Sequence, residues 1–597
     1  MNRGLPLTPP IRDWSAVYIP PNADHGTTIL PDSREWTDVD CTYEENDMTG
    51  EMPIGIQDFI EIRKKDYLYV DKSEMISHIV SSGVKVYLYT RPRRFGKSLN
   101  LSMLDAFFNL KYPKDNKWFD GLKVFEYEEC QKHKNAYPVI NFDFKNLDAS
   151  SYEGFLHKLK SRLSDLYAEF EYLRDSCQLN EVDRDRFMSV FKSTVNDYDV
   201  GSTLYNLSSM LYKHHGRKAI ILLDEYDNPI NNSYGKPFQQ DVVGLMRELL
   251  SSALKGNNSL EFGVVTGVMQ IAKESIFSGL NNLTIDNIFC NRFEEMFGFT
   301  DADVRTICEE YGHPERYPEA KEWYDGYRFG NVDVYNPWSI LQYIYNGFKP
   351  RPYWAGTSGN SILNDLLEIA TPDMWDEFRL LAERIPVRYE VNPTITFQDM
   401  RADERNIYSM LVMSGYLTAT ISEEGDSHIF IPNGEMAMVF GNLFLNHLDG
   451  NGQTDVRLLA GAFVKGDTST IEKRLYNLFA SSAGNAMLND EHSYQAFITG
   501  MLTYLFGKYS VKADFEGGNG RYDILLERKL GDSPNIVIEI KRVPIDSSDD
   551  LSESKAKDAL KQIIARDYLH GLRGRTLLYG IAFRNKKATV LSEELYL

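Results

Sequence analysis

Cysteine, long apolar runs, a leader pattern and positive charge are all scarce or missing in this 597-residue sequence, and each shortage removes a class of protein. The five cysteines (Cys41, Cys130, Cys177, Cys290 and Cys308) are odd in number and scattered, with no C-x-x-C spacing. That excludes a disulfide framework and a zinc site, and it reads as reduced thiols in a cytoplasmic protein. No window approaches the roughly 18 consecutive apolar residues of a membrane span, so no membrane partner is expected. The proline-broken first residues lack the basic-then-apolar pattern of a secretion signal. A net charge of −21 argues against a protein that coats nucleic acid through a general basic surface. A local basic groove stays open, because a nuclease needs only a patch.

What is present is ordinary for a soluble globular chain: 43% hydrophobic and 25% charged residues. The length calls for several domains. Residues 1–51 hold six prolines before position 50 and no persistent period, which predicts an irregular arm whose Trp14, Tyr18 and Trp36 pack on something. From 52 to 296, short apolar strands ("KVYLYT", "YPVINFDF", "AIILLDE", "LEFGVVTG") alternate with helical stretches, so an α/β domain with a mainly parallel sheet is expected. The strands lack polar alternation, which means that both faces are covered. Residues 297–454 read as mostly helical, ending in a helix–strand–turn–strand–helix order that suits a winged-helix-like unit. Residues 455–597 read as a further α/β domain.

"YLYTRPRRFGKSLNLSML" places Gly96-Lys97-Ser98 between a strand and a helix. A loop opening a helix is an anion site, since unpaired amides and the helix dipole face the phosphate. Lys97 would reach the β and γ phosphates of ATP, and Ser98 would bind Mg²⁺. In "ILLDEYD", Asp224 would hold the magnesium through water and Glu225 would polarise the attacking water. Arg91 stands where a phosphate-binding loop of the G-x-x-x-x-G-K-[ST] kind has glycine, and Arg91-Pro92 restricts the backbone. Binding is therefore better supported than hydrolysis. Arg91, Arg93 and Arg94 have three roles open: touching phosphate oxygens, facing nucleic acid, or standing in solvent. Arg94 is taken as the nucleotide contact.

"MPIGIQDFIEIRKKDYLYVDKSEMI", the arginine-bearing loop, "LLDEYDNPI", "TGVMQIAKESIFSGLNNL", "WYDGYRF", "DVYNPWSI" and "YWAGTSGN" fall in one order over residues 52–360. Together they resemble the predicted AAA-type ATPase family of bacteria, in which the arginines look normal. The resemblance implies a P-loop ATPase with an additional strand, Thr266 as the sensor of the γ-phosphate, and Pro337 as a lid-helix proline of the kind seen in signal-transducing ATPases. Trp323, Tyr324, Tyr327 and Trp338 are expected in the core of the lid, and Asn281 and Asn282 in turns.

The C-terminal run "DFEGGNGRYDILLERKLGDSPNIVIEIKR" holds two short strands. On the second, Ile536, Ile538 and Ile540 share one face while Glu539 and Lys541 share the other. Pairing of the two strands brings Asp523 beside them, and Glu516 adds a further polar group upstream. Facing carboxylates call for a cation, and Mg²⁺ is the usual hard ion, with Mn²⁺ as a substitute. Asp523, Glu539 and the Ile540 carbonyl would hold it, and Lys541 would orient its water against a phosphodiester. This run resembles the PD-(D/E)xK nuclease superfamily, and by that resemblance Gln562 and Tyr568 stand for a further Q…Y motif.

Three functions follow. The first is an ATP-controlled, Mg²⁺-dependent nuclease acting on DNA or RNA, which analogy alone links to defence or mobile elements. The second is a nucleotide-gated protein that binds nucleic acid or a protein partner without cutting. The third is an ATP-driven remodeler with the C-terminal domain as a structural module. Whether the chain forms a homo-oligomer, and what triggers its ATPase, are left open by the sequence.

Overall fold

The computed structural model describes residues 51–270, 282–354, 384–395, 403–421, 426–440, 452–482, 491–502, 509–517, 520–529, 533–565 and 571–597. It also describes isolated positions at 371, 374, 377–378, 380–381, 505 and 569. The expected arm, except for Glu51, lies outside the described residues, as do Asn281, Tyr568 and most of the "YWAGTSGN" stretch.

The first sheet contains β1 (Val86–Thr90), β2 (Val139–Asp143), β3 (Ala219–Asp224), β4 (Leu260–Gly267) and β5 (Leu283–Asp286). Its order is β2-β3-β4-β1-β5, and every pair is parallel. Four of these strands follow the apolar runs in the sequence, while β5, a four-residue edge strand, has no such signature. Alternation along β1 sends Tyr87 and Tyr89 into one core with Met103 and Phe107. It sends Val86 and Leu88 into the opposite core with Leu249 and Leu250. Both faces are thus covered, as the continuous apolar strands require. Helix α1 (Lys97–Phe108) follows β1 across one face.

The next region is less helical than its sequence suggests. Phe299–Thr300, Val332–Tyr335 and Tyr327–Phe329 form a small antiparallel sheet. Trp323, Tyr324, Tyr335 and Tyr343 build the core beside it. Helix α2 (Pro337–Tyr345) begins with Pro337 at its first position and the Asn336 side chain accepting from Ser339 N at 3.3 Å, both favourable at a helix start. Further on, helix Ile407–Ser414, strands Thr418–Ile421 and Ser427–Phe430 and a helix over 434–440 follow the winged-helix-like order. Tyr408, Leu411 and Met436 share a core with Phe95 of the loop between β1 and α1.

The C-terminal sheet runs β6 (Tyr509–Gly517), β7 (Gly520–Arg528), β8 (Asn535–Arg542), β9 (Arg575–Arg584) and β10 (Lys587–Tyr596) in sequential order. Only β8 and β9 are parallel, and helix α4 (Asp549–Ala565) makes their crossover. On the opposite face, Gly452–Lys465, Thr468–Ser482 and α3 (Glu491–Leu502) close a core with Ile536, Ile538 and Ile540. Gly580 on β9 has no room for a Cβ because the Ala556 carbonyl of α4 lies against it. Helix α4 therefore sits close on the sheet and buries the second face of β8.

Candidate functional site

The strand order brings the first set of residues together. Because β4 lies between β1 and β3, the carboxyl ends of three adjacent strands converge on the loop before α1. Gly96 takes φ +83° at the helix start, where a side chain would be strained, and no side chain caps the first-turn amides. Ser98 Oγ donates to Asp224 Oδ2 at 2.5 Å, and Thr266 Oγ1 at the end of β4 donates to Asp224 Oδ1 at 2.5 Å. Lys97 is buried, with its ammonium 2.8 Å from the carbonyls of both Arg91 and Pro92. Burial lowers its pKa to about 8, against the pull of Asp224, Asp227 and Glu225.

Glu225 occupies a left-handed backbone position at φ +52°, which is rare for a residue with a side chain. Its amide donates to Asp224 Oδ1 at 3.0 Å, and its carboxyl lines the cavity. Burial raises its pKa, and Lys145 opposes the rise. The cavity holds about 570 Å³, within the range of small-molecule sites. The phosphate loop forms one wall, the 53–57 segment and α2 the others. Pro337 and Trp338 of α2 both line it.

The arginines divide their roles. Arg91 has none of the three anticipated: it is fully buried, 2.5 Å from Asp286 Oδ1, with its guanidinium against the rings of Phe297 and Phe329. It also donates to the carbonyls of Thr90 and Asp286, so it ties β1 to β5 and to the segment that carries Phe297 and Phe329. The carbonyl of Arg93 accepts from Trp354 Nε1 at 3.2 Å. Arg94, at φ +69°, faces the cavity with its guanidinium 4.4 Å from the centre of the Trp338 ring. Trp338 is therefore a cavity wall rather than the core residue expected, whereas Trp323, Tyr324 and Tyr327 are buried. Asn282 stands in a turn.

The second set lies on the C-terminal sheet. Ile524 pairs with Ile538, and the same antiparallel register sets Asp523 opposite Glu539. Asp523 Oδ2 accepts from Ile540 N at 2.6 Å. Glu539 is buried because α4 covers its face of β8. Its Oε1 accepts from Lys541 Nζ at 2.9 Å and from the Gln562 side chain of α4. Its Oε2 is buried and has no hydrogen-bond partner among the described residues. Burial first, and Asp523 second, push the Glu539 carboxyl up to about 7. Burial works against the charge of Lys541, yet Glu539, Glu491 and Asp523 hold its pKa above the ordinary value. Glu516 lies on β6, with only its backbone described there.

Two sequence comparisons match this division. Residues 53–277 fit the family described as predicted AAA-ATPase, and residues 489–593 fit the PD-(D/E)XK nuclease superfamily. The chain joins an AAA-ATPase-like domain to a PD-(D/E)XK nuclease superfamily domain. A curated relative, an uncharacterized protein in the vnfD 5′ region of Azotobacter chroococcum mcd 1, is 31% identical over 323 residues. The match spans 53% of this chain and 56% of that relative, so the chain covers about half the relative's length.

Several residues around the two sites are given no role by the sequence. In the ATPase-like domain, Asp227 is buried and accepts from the amides of Val268 and Met269 at 2.9 and 3.0 Å. Lys145, two residues past β2, reaches the Ser98–Asp224 pair. In the nuclease superfamily domain, α3 supplies Gln495, whose side chain donates to the Asp523 carbonyl at 2.8 Å, and Glu491, which accepts from Arg542 N at 3.0 Å. None of these sits at a recognisable spacing from the partners just named, which lie 28 to 79 residues away. Among the described residues, no group of three or more His, Cys, Asp or Glu side chains is arranged to hold a metal. A two-carboxylate site suits Mg²⁺, which takes few protein ligands and keeps its waters or substrate phosphates.

Proposed function

We propose that this protein is a nucleotide-controlled, divalent-metal-dependent nuclease that cleaves phosphodiester bonds of DNA or RNA. The observation that carries the reading is the buried carboxyl of Glu539. One of its oxygens is bonded to Lys541 and Gln562, and the other is buried without a hydrogen-bond partner among the described residues. A buried acceptor left unpaired is costly, and a cation shared with Asp523 would remove the cost.

Asp523, Glu539 and the Ile540 carbonyl would hold Mg²⁺ or Mn²⁺. When bound, such an ion acidifies a water at neutral pH. Lys541 keeps its positive charge in this pocket and would orient the water and stabilise charge developing on the phosphodiester. Gln562 fixes the Glu539 rotamer from α4. In the other domain, Lys97, Arg94 and the first-turn amides of α1 would bind the phosphates of ATP, and Ser98 with Asp224 would hold its Mg²⁺. Glu225 would polarise a water, and Thr266, bonded to Asp224, would report on the terminal phosphate. Pro337 and Trp338 of the lid helix would follow nucleotide occupancy because they share the cavity wall.

The test is cleavage of labelled single- and double-stranded DNA and RNA with Mg²⁺ or Mn²⁺, with and without ATP, beside Lys541→Ala. Cleavage that Lys541→Ala abolishes establishes the nuclease, and its ATP dependence shows what the first domain controls. Binding of a nucleic acid with no cleavage under any condition would instead make the protein a nucleotide-gated binding protein.

A further inference from the structure

One cation in the nucleotide cavity belongs to no motif. The Lys145 ammonium stands 3.4 Å from Ser98 Oγ and 3.5 Å from Asp224 Oδ2, the two groups that would hold the magnesium. It is also 3.5 Å from Asp143 Oδ2 and 3.8 Å from Glu225 Oε1. The fold fixes this placement. Asp143 and Asp224 are register partners at the ends of β2 and β3, so the chain leaving β2 passes beside the end of β3. Phe144 N donates to the Asp224 carbonyl at 3.1 Å and Lys145 N to Asp143 Oδ1 at 2.8 Å, which pins the backbone on either side. The ammonium also reaches Gln57 Oε1 at 3.3 Å, and the side chain remains 27% exposed and lines the cavity.

Three carboxylates, Asp143, Asp224 and Glu225, surround a place meant for a polyanion, and one ammonium among them offsets much of that repulsion. Position along the phosphate chain follows from the partners. In such a site the Ser/Thr and Asp would hold the nucleotide's metal at the terminal-phosphate end. A cation beside both lies at the γ end, whereas the first-turn amides of α1 lie at the end nearer the nucleoside.

Resting on the reading of this cavity as a nucleotide site, we propose that Lys145 contacts the terminal phosphate of a bound nucleoside triphosphate and makes the site discriminate triphosphate from diphosphate. It would keep Asp143 and Glu225 as partners while its Nζ turns from Asp224 to the phosphate oxygens. The charge would come from within the same chain, with no neighbouring subunit needed to supply it.

The experiment is equilibrium binding of ATP and of ADP, with Mg²⁺, to the full-length chain and to its Lys145→Met, Lys145→Gln and Lys145→Arg variants. Loss of a hydrogen bond to a charged group predicts a roughly ten- to hundredfold fall in ATP affinity for Lys145→Met and Lys145→Gln. ADP affinity should change by less than about twofold, and Lys145→Arg should recover most of the ATP affinity. Equal losses for both nucleotides, or no loss for either, would overturn the assignment. Thermal unfolding shows whether Lys145→Met is folded, and Lys145→Gln, which keeps a donor near Ser98, carries the test if it is not. A wild-type chain that binds neither nucleotide would remove the nucleotide reading itself and this role with it, an outcome set apart by the wild-type measurement.

Discussion

Glu539 gives a prediction whose size can be worked from its surroundings. Burial under α4 and the neighbouring Asp523 push its carboxyl up to about 7, and a metal binds the carboxylate, not the acid. With that pKa the carboxylate fraction is about one in eleven at pH 6, one half at pH 7 and ten in eleven at pH 8. Apparent metal affinity at this site should therefore rise about tenfold from pH 6 to pH 8, most steeply below pH 7. Lys541, raised above its ordinary value, stays charged throughout that window and adds no slope. The assay is Mn²⁺ binding followed by electron paramagnetic resonance, in a Lys97→Ala, Ser98→Ala background that weakens the nucleotide site. In that background Glu539→Gln should lose most of the binding together with its pH dependence. The stability of the metal-free protein runs the other way. The folded state keeps a proton that the unfolded chain releases near its ordinary value of 4.5, so the stabilisation is full below 4.5 and is lost as pH rises through 7. The loss amounts to about 3 kcal/mol, and Glu539→Gln should gain in melting temperature over wild type as pH climbs. Metal affinity that is flat from pH 6 to pH 8 would refute the reasoning, as would a slope that Glu539→Gln leaves intact.

Three further outcomes are expected. Arg91→Met should cost about 3–5 kcal/mol, because it strands the buried Asp286 carboxylate, and Asp286→Asn added to it should restore part of that loss in thermal unfolding. Trp338→Ala should weaken ATP binding severalfold by freeing the Arg94 guanidinium, an effect of about 0.5–2 kcal/mol readable by titration calorimetry. Without nucleotide, Mg²⁺ alone should raise the melting temperature of Lys145→Met more than that of wild type, since Asp143, Asp224 and Glu225 then lose the ammonium that each of them contacts.

Local pattern alone determined much of this protein. Apolar strands without alternation announced a sheet covered on both faces, and "VYLYT" before Gly96-Lys97-Ser98 announced a strand, a loop and a helix whose first turn is open to an anion. The Ile-x-Ile-x-Ile spacing of β8 placed those three residues on one core face. Such features depend on neighbours a few residues apart, and sequence spacing reports them directly. Tertiary structure alone decided the rest. Insertion of β4 between β1 and β3 is what carries Thr266 to Asp224, 42 residues away, and the β2–β3 register is what delivers Lys145. In the sequence Arg91 is one of three arginines in a row of four residues, and only its burial between Phe297, Phe329 and Asp286 separates its role from that of Arg94. The placement of α4 over Glu539 likewise has no local signature, since the helix begins ten residues after the glutamate. An E-x-K on a strand open to water would be an ordinary surface pair. Burial removes the water that would stabilise the Glu539 charge, and that desolvation is what raises its carboxyl beside Asp523 and underlies the role proposed for it as a metal ligand.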